Sequence, residues 1–330
     1  MAPAPRFLVA DIGGTYARFA LYDASCTRLT ETRLRVEDFS GIVEAVAAAL
    51  QSLAVAVRID AAVIAIAGPV EGGAGRVVNS GWQVSGSLLK RRFDWPTLYL
   101  VNDFAAAAYG VLEADTRLRR LGGPAQYVSD YPRVVVGAGT GFGVAQIVKC
   151  ADTWQVVASE GGHARFAPDT DEEVELLLLL RRRLGRSVQR EDILSGRGLC
   201  DLYAVMAQWR GENLTDETDP AVVVSAAVAQ KSVFCSLVLN AFCGILGAVA
   251  ADIALDLGST GGVCIAGGMA PRFGDFLDQS PFRSRFESHP VYRDYLEKIP
   301  TFLVTSQDPG LAGAAYLLRR HLAGEQKIRL

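Results

Sequence analysis

Two glycine-rich stretches hold residues suited to phosphate chemistry. The first is Phe7-Leu8-Val9-Ala10-Asp11-Ile12-Gly13-Gly14-Thr15-Tyr16-Ala17-Arg18-Phe19-Ala20-Leu21-Tyr22. An apolar run enters a turn at Asp11 and a second β-prone run leaves at once, which predicts a hairpin rather than a strand-to-helix junction. Gly13 and Gly14 admit backbone conformations closed to other residues, and successive N–H groups in such a turn can form a concavity for an anion. Asp11, at the strand end, could hold a hydrated Mg²⁺ but would repel a bare phosphate. The second stretch, 133–145, repeats the design, with Gly137, Gly139, Thr140, Gly141 and Gly143 around the bend. Two such hairpins could grip one polyphosphate from opposite sides. Neither is a Walker loop, because no Gly-Lys-Ser/Thr follows. Neither is a dinucleotide fingerprint, because the glycines of 137–143 fall at every second position and no helix follows. Taken alone, the first stretch is explained equally well as an ordinary Gly-Gly hairpin with a solvated Asp.

Further polar groups stand at the ends of other apolar runs. Asn102-Asp103 closes the run 97–102, where α/β sheets present ligand groups. Asp103 could accept a proton from a substrate hydroxyl. One of the pair could equally N-cap a helix beginning at Phe104, and both roles are compatible. Glu160-Gly161-Gly162-His163 sets a carboxylate and an imidazole three residues apart. The glycines disfavour a helix, so a loop showing both groups to a polar ligand fits better than a helical metal site. Of the chain's 3 histidines, the other two, His289 and His321, read as surface residues. Glu191, ahead of Asp192-Ile193-Leu194-Ser195-Gly196, is by itself an ordinary helix-start acid. Gly267-Gly268 ends the run 262–266 and permits close approach of a flat ring or a phosphate, or is simply structural.

The elements that must place these groups follow from periodicity. Strands at about 6–13, 17–24 and 29–36 form a meander. Ser40 is placed to cap a helix over 41–57. A buried strand over 61–67 stops at Gly68-Pro69, Gly72–Gly75 is a turn, and 77–79 is a short strand. Strand 97–102 and helix 104–112 close one lobe. A connector over 113–132 leads to a second meander at 133–137, 143–149 and 153–159. Thr170-Asp171-Glu172-Glu173 opens a helix with acids at its positive end. Its all-apolar run Leu176–Leu180 is expected to be buried rather than amphipathic. Helices near 192–208, 219–231 and 232–257, a strand at 262–266, a strand at 300–304 and a helix at 310–322 complete the chain. Meander, helix, strand, helix appears twice, which predicts duplicated α/β lobes with a cleft between them.

Composition bounds the function. The 330 residues suit two lobes, and the 50% hydrophobic content supports sizeable cores. A net charge of −3 argues against nucleic acid as the main partner. The first residues lack a signal peptide's charged and apolar regions, and apolar runs such as 241–251 halt at Asp252, short of a membrane span. Cys26, Cys150, Cys200, Cys235, Cys243 and Cys264 lack metal-ligand spacing and read as buried free thiols of a reducing cytoplasm.

In order along nearly the whole chain, these motifs resemble the bacterial glucokinases outside the ROK branch, within the hexokinase/actin/Hsp70 superfamily. Asp11-Ile-Gly-Gly-Thr-Tyr-Ala-Arg18 is similar to the first phosphate motif, and Val101-Asn102-Asp103-Phe104 to the catalytic strand end. Gly137-Ala-Gly-Thr-Gly-Phe-Gly143 resembles the second phosphate motif. Glu160-Gly-Gly-His163 with Phe166-Ala-Pro168 resembles the sugar loop, and Leu194-Ser-Gly-Arg-Gly-Leu199 follows the position of a further sugar-binding Glu, here Glu191. Gly261-Gly-Val-Cys-Ile-Ala-Gly-Gly268 resembles the adenosine motif, and Asp308-Pro309-Gly310-Leu311 precedes the closing helix. The Cys-rich zinc motif of the ROK branch is missing. Ser159 before Glu160 is a mild departure.

The resemblance implies an α/β fold of two actin-like (ribonuclease H-like) lobes with mixed sheets and an inter-lobe cleft. The small lobe would span 1–112 plus 311–330, and the large lobe 113–310. It implies phosphoryl transfer from ATP to the 6-hydroxyl of glucose, with Asp103 as general base. Glucose would be bound by Asn102, Asp103, Glu160, His163 and Glu191. ATP would be bound by Ala10, Asp11, Ile12, Gly13, Gly14, Thr15, Gly137, Gly139, Thr140, Gly141, Gly267 and Gly268. Asp11 would hold Mg²⁺ through water. It also implies a cytoplasmic homodimer, with neither nucleic acid nor membrane as partner. A kinase for mannose, fructose or an amino sugar, and a regulatory actin-like ATPase, are the alternatives.

Overall fold

A computed structural model of the chain describes residues 5–54, 58–78, 80–113, 115–212, 218–306 and 308–324. The chain divides into two units, Met1–Thr116 with Ser306–Leu330, and Arg117–Thr305.

Unit 1 begins with the meander β1 (Arg6–Ile12), β2 (Tyr16–Tyr22) and β3 (Arg28–Arg35). Then come α1 (Ile42–Ser52), β4 (Ile59–Ile66), a small three-stranded sheet of β5 (Val70–Glu71), β6 (Ala74–Arg76) and β7 (Gln83–Ser85), α2 (Gly86–Phe93), β8 (Thr97–Asn102) and α3 (Asp103–Gly110). The main sheet runs β3-β2-β1-β4-β8. β1 is antiparallel to β2 but parallel to β4, and β4 is parallel to β8. Ile12 pairs with Ile66 and Ile66 with Asn102, so three strands end level at one carboxyl edge. β4 is almost wholly apolar because both its faces are covered, as a central parallel strand requires.

Unit 2 contributes β9 (Leu118–Gly122) and the meander β10 (Arg133–Ala138), β11 (Phe142–Cys150) and β12 (Thr153–Ser159). The helices α4 (Asp171–Leu184), α5 (Gly196–Arg210), α6 (Pro220–Val228) and α7 (Val233–Asp256) follow. β13 (Gly262–Ala266), the short helices α8 (Phe276–Gln279), α9 (Phe282–Glu287) and α10 (Arg293–Leu296), and β14 (Thr301–Val304) complete it. The strand order β12-β11-β10-β13-β14 reproduces that of unit 1, with β9 added antiparallel at the edge.

The chain then returns to unit 1 through α11 (Pro309–Leu322), which packs on β1, β4 and above all α3. Glycine makes that closeness possible. A Cβ on Gly313 would collide with the Ala106 carbonyl, and one on Gly110 with the Pro309 carbonyl. Gly313→Ala therefore forces backbone apart and is expected to destabilise unit 1 by about 1–3 kcal/mol or more. A thermal melt followed by circular dichroism checks this; an unchanged melting temperature would mean that the helices part freely.

Several elements differ from expectation. Helix α1 ends at Ser52, residues 55–57 lie outside the described residues, and its N-cap is Gly41 rather than Ser40. The 72–75 turn is confined to Gly72-Gly73, both at positive φ, and β6 starts at Ala74. Val77 and Val78 are not a strand, and Asn79 lies outside the described residues. β7, α2, β9 and the short helices α8–α10 are not among the elements expected from the sequence. Leu178 is 40% exposed, so α4 is amphipathic after all: Leu176 and Leu180 are buried and the leucines between them are not. His321 is half-buried, its Nδ1 3.0 Å from the Tyr99 hydroxyl. Cys235, Cys243 and Cys264 are buried, but Cys150 is exposed. Among the described residues one helix, α7, is long and apolar enough to cross a membrane, because the apolar run extends back to Val233. Most of its residues are buried in the core of unit 2, which accounts for apolarity all round.

Candidate functional site

In unit 1 the polar groups gather at the level carboxyl edge. Asp11 is the penultimate residue of β1, and Asn102 ends β8 with Asp103 opening α3, with β4 between the two strands. Two strand spacings set them roughly 10 Å apart, too far to share one ion directly but near enough for one ligand to touch both. Asn102 is the N-cap of α3: its Oδ1 accepts from Phe104 N and Ala105 N, both 2.9 Å. Its Nδ2 donates to the Gly68 carbonyl at 3.1 Å, which leaves its second amide hydrogen for a ligand. Asp103 Oδ1 accepts from Phe104 N at 2.8 Å, which fixes the side chain on the first turn.

Asp11 is more constrained than its sequence suggests. Burial pushes its carboxyl up to about 6; the Arg18 guanidinium opposes this and Asp308 adds to it. Arg18 bridges the two carboxylates, Nη1 to Asp11 at 3.5 Å and Nε to Asp308 at 3.1 Å. The first turn of α11 abuts Asp11, since a Cβ on Gly310 would stand 2.9 Å from its Cγ. Neither Arg18 nor Asp308 was given a role from sequence. A glycine inside a helix's first turn at Gly310, where no turn needs it, was the available signal.

The hairpin turns do not use glycine for left-handed backbone: Gly13, Gly139 and Gly141 all avoid positive φ. The reason lies in space. The nearest atom to a Cβ would be 3.4 Å away at Gly13 and 4.0 Å at Gly139, with nothing within 4 Å at Gly268. The fold itself has no need of glycine at these three positions, and a methyl group there would fill room that a ligand can use. The side chains of Ala10 and Ile12 are buried in the core, so only their backbone can face a nucleotide. Thr15 and Thr140 are exposed at the tips of the turns.

In unit 2 the expected residues converge. Gly137 pairs with Ala266 in parallel register, so the ends of β10 and β13 lie side by side. A Cβ on Gly137 would stand 2.6 Å from the Ala266 carbonyl. Gly267, at φ +86°, lies against the Ala138 carbonyl, which also accepts from Met269 N at 3.2 Å. Glu160 caps and His163 ends a single 3-10 turn, Gly161–His163, in place of an irregular loop. Gly162 is required because a Cβ would strike the Phe142 carbonyl. His163 Nε2 lies 3.8 Å from Glu160 Oε2, and both side chains are more than half exposed (53% and 66%). His163 Nδ1 lies 3.0 Å from Gln189 Oε1. With that oxygen as acceptor, Nδ1 carries the proton and a neutral ring offers Nε2 as acceptor. Gln189 went unnoticed in the sequence, where nothing marks it.

Glu191 sits in the 3-10 turn Arg190–Asp192, not at the start of a helix; α5 begins only at Gly196. Its Oε2 accepts from Phe142 N at 2.8 Å. Segments 164–166 and 188–190 are zipped by Phe166 N to Val188 O at 3.0 Å and Arg190 N to Ala164 O at 2.9 Å. Glu160, His163 and Glu191 are thereby held beside the 139–141 turn.

No group of three or more His, Cys, Asp or Glu among the described residues is placed to hold a metal.

The sequence model of the Glucokinase family matches residues 8–321. A glucokinase of Caulobacter sp. (strain K31) is 39% identical over 312 residues, 93% of each chain. The crystal structure of a glucokinase from an Antarctic psychrotroph superposes with a TM-score of 0.81 at 35% identity, over 96% of this chain and 99% of that one. That of a Balamuthia mandrillaris glucokinase in complex with glucose, at 24% identity, shares the fold, with a TM-score of 0.84 over 96% of this chain and 94% of that one.

Proposed function

Because this chain belongs to the glucokinase family, we propose that it transfers the γ-phosphoryl group of ATP to the 6-hydroxyl of D-glucose and releases ADP. The observation that supports the site assignment is the junction in unit 2. There Glu160, His163 and Glu191, a set suited to sugar hydroxyls, adjoin a glycine turn with room for phosphate.

Asp103 takes the proton of the 6-hydroxyl as that oxygen bonds to the γ-phosphorus and the bond to ADP's β-phosphate oxygen breaks. The proton then passes to water. Little covalent chemistry is asked of the protein; positioning and charge stabilisation do the rest. Asn102, with its one spare amide hydrogen, Glu160, His163 and Glu191 bind the other hydroxyls. Such a set discriminates between epimers, because a misplaced hydroxyl leaves donors or acceptors of the site unpaired. The turns at Gly13–Thr15 in unit 1 and Gly139–Gly141 in unit 2 receive phosphates, with Ala10, Ile12 and Gly137 contributing backbone, and Gly267-Gly268 lies along the adenosine. Asp11, with Asp308 beside it, suits a hydrated Mg²⁺, which when bound neutralises phosphate charge. The proposed enzyme works in the cytoplasm as a homodimer, and light scattering on the purified protein tests the dimer.

The decisive experiment is a panel of glucose, mannose, fructose and glucosamine in a coupled ADP-release assay with ATP and Mg²⁺. Glucose should give the highest kcat/KM. A preference for another hexose would reassign the substrate, and ATP turnover indifferent to sugar would favour a regulatory ATPase. Glu160→Gln should raise the glucose KM roughly 10- to 150-fold, the loss of a charged hydrogen bond worth about 1.5–3 kcal/mol. The ATP KM should move far less; equal changes in both would remove Glu160 from the sugar contacts.

A further inference from the structure

Glu191 belongs to two structures at once. Its carboxylate is a sugar contact in the reading above, on which this inference rests. The same carboxylate also accepts the backbone N–H of Phe142, the residue that follows the 139–141 turn. Gly141 is the reason it can. A Cβ at Gly141 would fall on Glu191 Oε2 and 3.1 Å from its Cδ. Gly141 adopts no positive φ, so the turn does not need glycine for its backbone. What needs it is the approach of Glu191.

The attachment is reinforced on both sides. Downstream, Gly196 N donates to the Gly139 carbonyl at 2.9 Å, so residues 191–196 grip the turn at two points. Upstream, Gln189 Oε1 lies 3.0 Å from His163 Nδ1, and Arg190 N donates to Ala164 O at 2.9 Å. One short segment, 189–196, thus holds the sugar loop with one end and the phosphate turn with the other.

We propose that this segment couples the two substrates, with Glu191 oriented for the sugar by the Phe142 N–H and the turn oriented for phosphate by Glu191. Such coupling is reciprocal: if a seated sugar orders the turn, a seated nucleotide must tighten the sugar by the same factor. Gly141 is then a positioning residue for glucose, though it touches only phosphate.

The test measures glucose binding to the full-length protein without nucleotide, by titration calorimetry. Gly141→Ala pushes aside a flexible side chain rather than backbone, so the fold should survive, as a thermal melt verifies. It should weaken glucose about 5- to 150-fold, the usual span of coupling between sites. On a Glu191→Ala background the same change should have no further effect. In wild type, saturating glucose should tighten a non-hydrolysable ATP analogue; in Gly141→Ala that gain should vanish. If Gly141→Ala melts early, Glu191→Gln takes its place. Its amide oxygen still accepts from Phe142 N–H, so glucose should bind more weakly while the gain in nucleotide affinity persists. Wild type that ignores glucose would sink the sugar-kinase reading itself. Wild type and Gly141→Ala binding glucose alike, additive effects in the double variant, or loss of coupling in Glu191→Gln would overturn the coupling alone.

Discussion

Asp103→Asn should lower kcat by about 10²–10⁴, the span typical of a positioned general base, while the far-ultraviolet circular dichroism stays that of the wild type. The two outcomes separate because neighbouring residues divide the work. The cap of α3 is Asn102, whose Oδ1 takes the N–H groups of both Phe104 and Ala105. Asp103 Oδ1 accepts from the N–H of the next residue, a bond that an Asn amide oxygen can replace. The helix therefore keeps its start and the 6-hydroxyl loses its proton acceptor. Turnover and melting temperature, measured on one preparation, test this. Turnover within a few-fold of wild type would exclude Asp103 as the base, and a collapsed melting temperature would mean that its charge serves the fold.

Asp11→Asn should move stability and activity in opposite directions. Burial raises the Asp11 carboxyl from 3.8 to about 6 in the folded chain, so ionising it opposes folding. The sign follows by linkage: the folded state holds the proton more tightly, so stability is greatest below pH 4 and is lost as pH rises through 6. That shift of about two pKa units is already net of the pairing with Arg18, and it corresponds to about 3 kcal/mol. The variant should melt at or near the wild-type temperature around pH 4 and several degrees above it at pH 8, with no ligand present. The same change should cost on the order of 10–100-fold in activity at limiting Mg²⁺, as loss of a partner that acts on a metal through water usually does. A melting difference that does not vary with pH would show that the Asp11 charge is not what strains the ligand-free fold.

The sequence was most legible where a pattern repeats. Apolar runs stopped by Gly, Pro or Asn-Asp marked the central strands β4, β8 and β13 and the glycine hairpins that open both meanders, and the order of these motifs pointed to the family. Proximity in space was not legible. Gln189 meets His163 across 26 residues, and Glu191 reaches Phe142 N across 49. The unit 1 carboxylates draw in Asp308 from almost the end of the chain. Glycine misled in the turns, because its conformational freedom was taken as the reason for it. At Gly13 and Gly139 the backbone is ordinary and the value of glycine is vacant room, while at Gly141 and Gly310 it is the nearness of a carboxylate. The leucine run of α4 misled because five adjacent apolar residues cannot all face one side of a helix, and Leu178 points outward.

The return of the chain to unit 1 has a consequence for biosynthesis. On the face where α11 packs, the sheet made first, β3-β2-β1-β4-β8, has the short α3 against β8 and β4 early, while the helix against β1 is made last. Everything from Arg117 to Thr305 must leave the ribosome in between. At translation speeds of about 5–20 residues per second that interval is roughly 10–40 s. For that time β1 and part of β4 lack the cover that α11 brings, and apolar surface of the nascent unit 1 stays exposed to water.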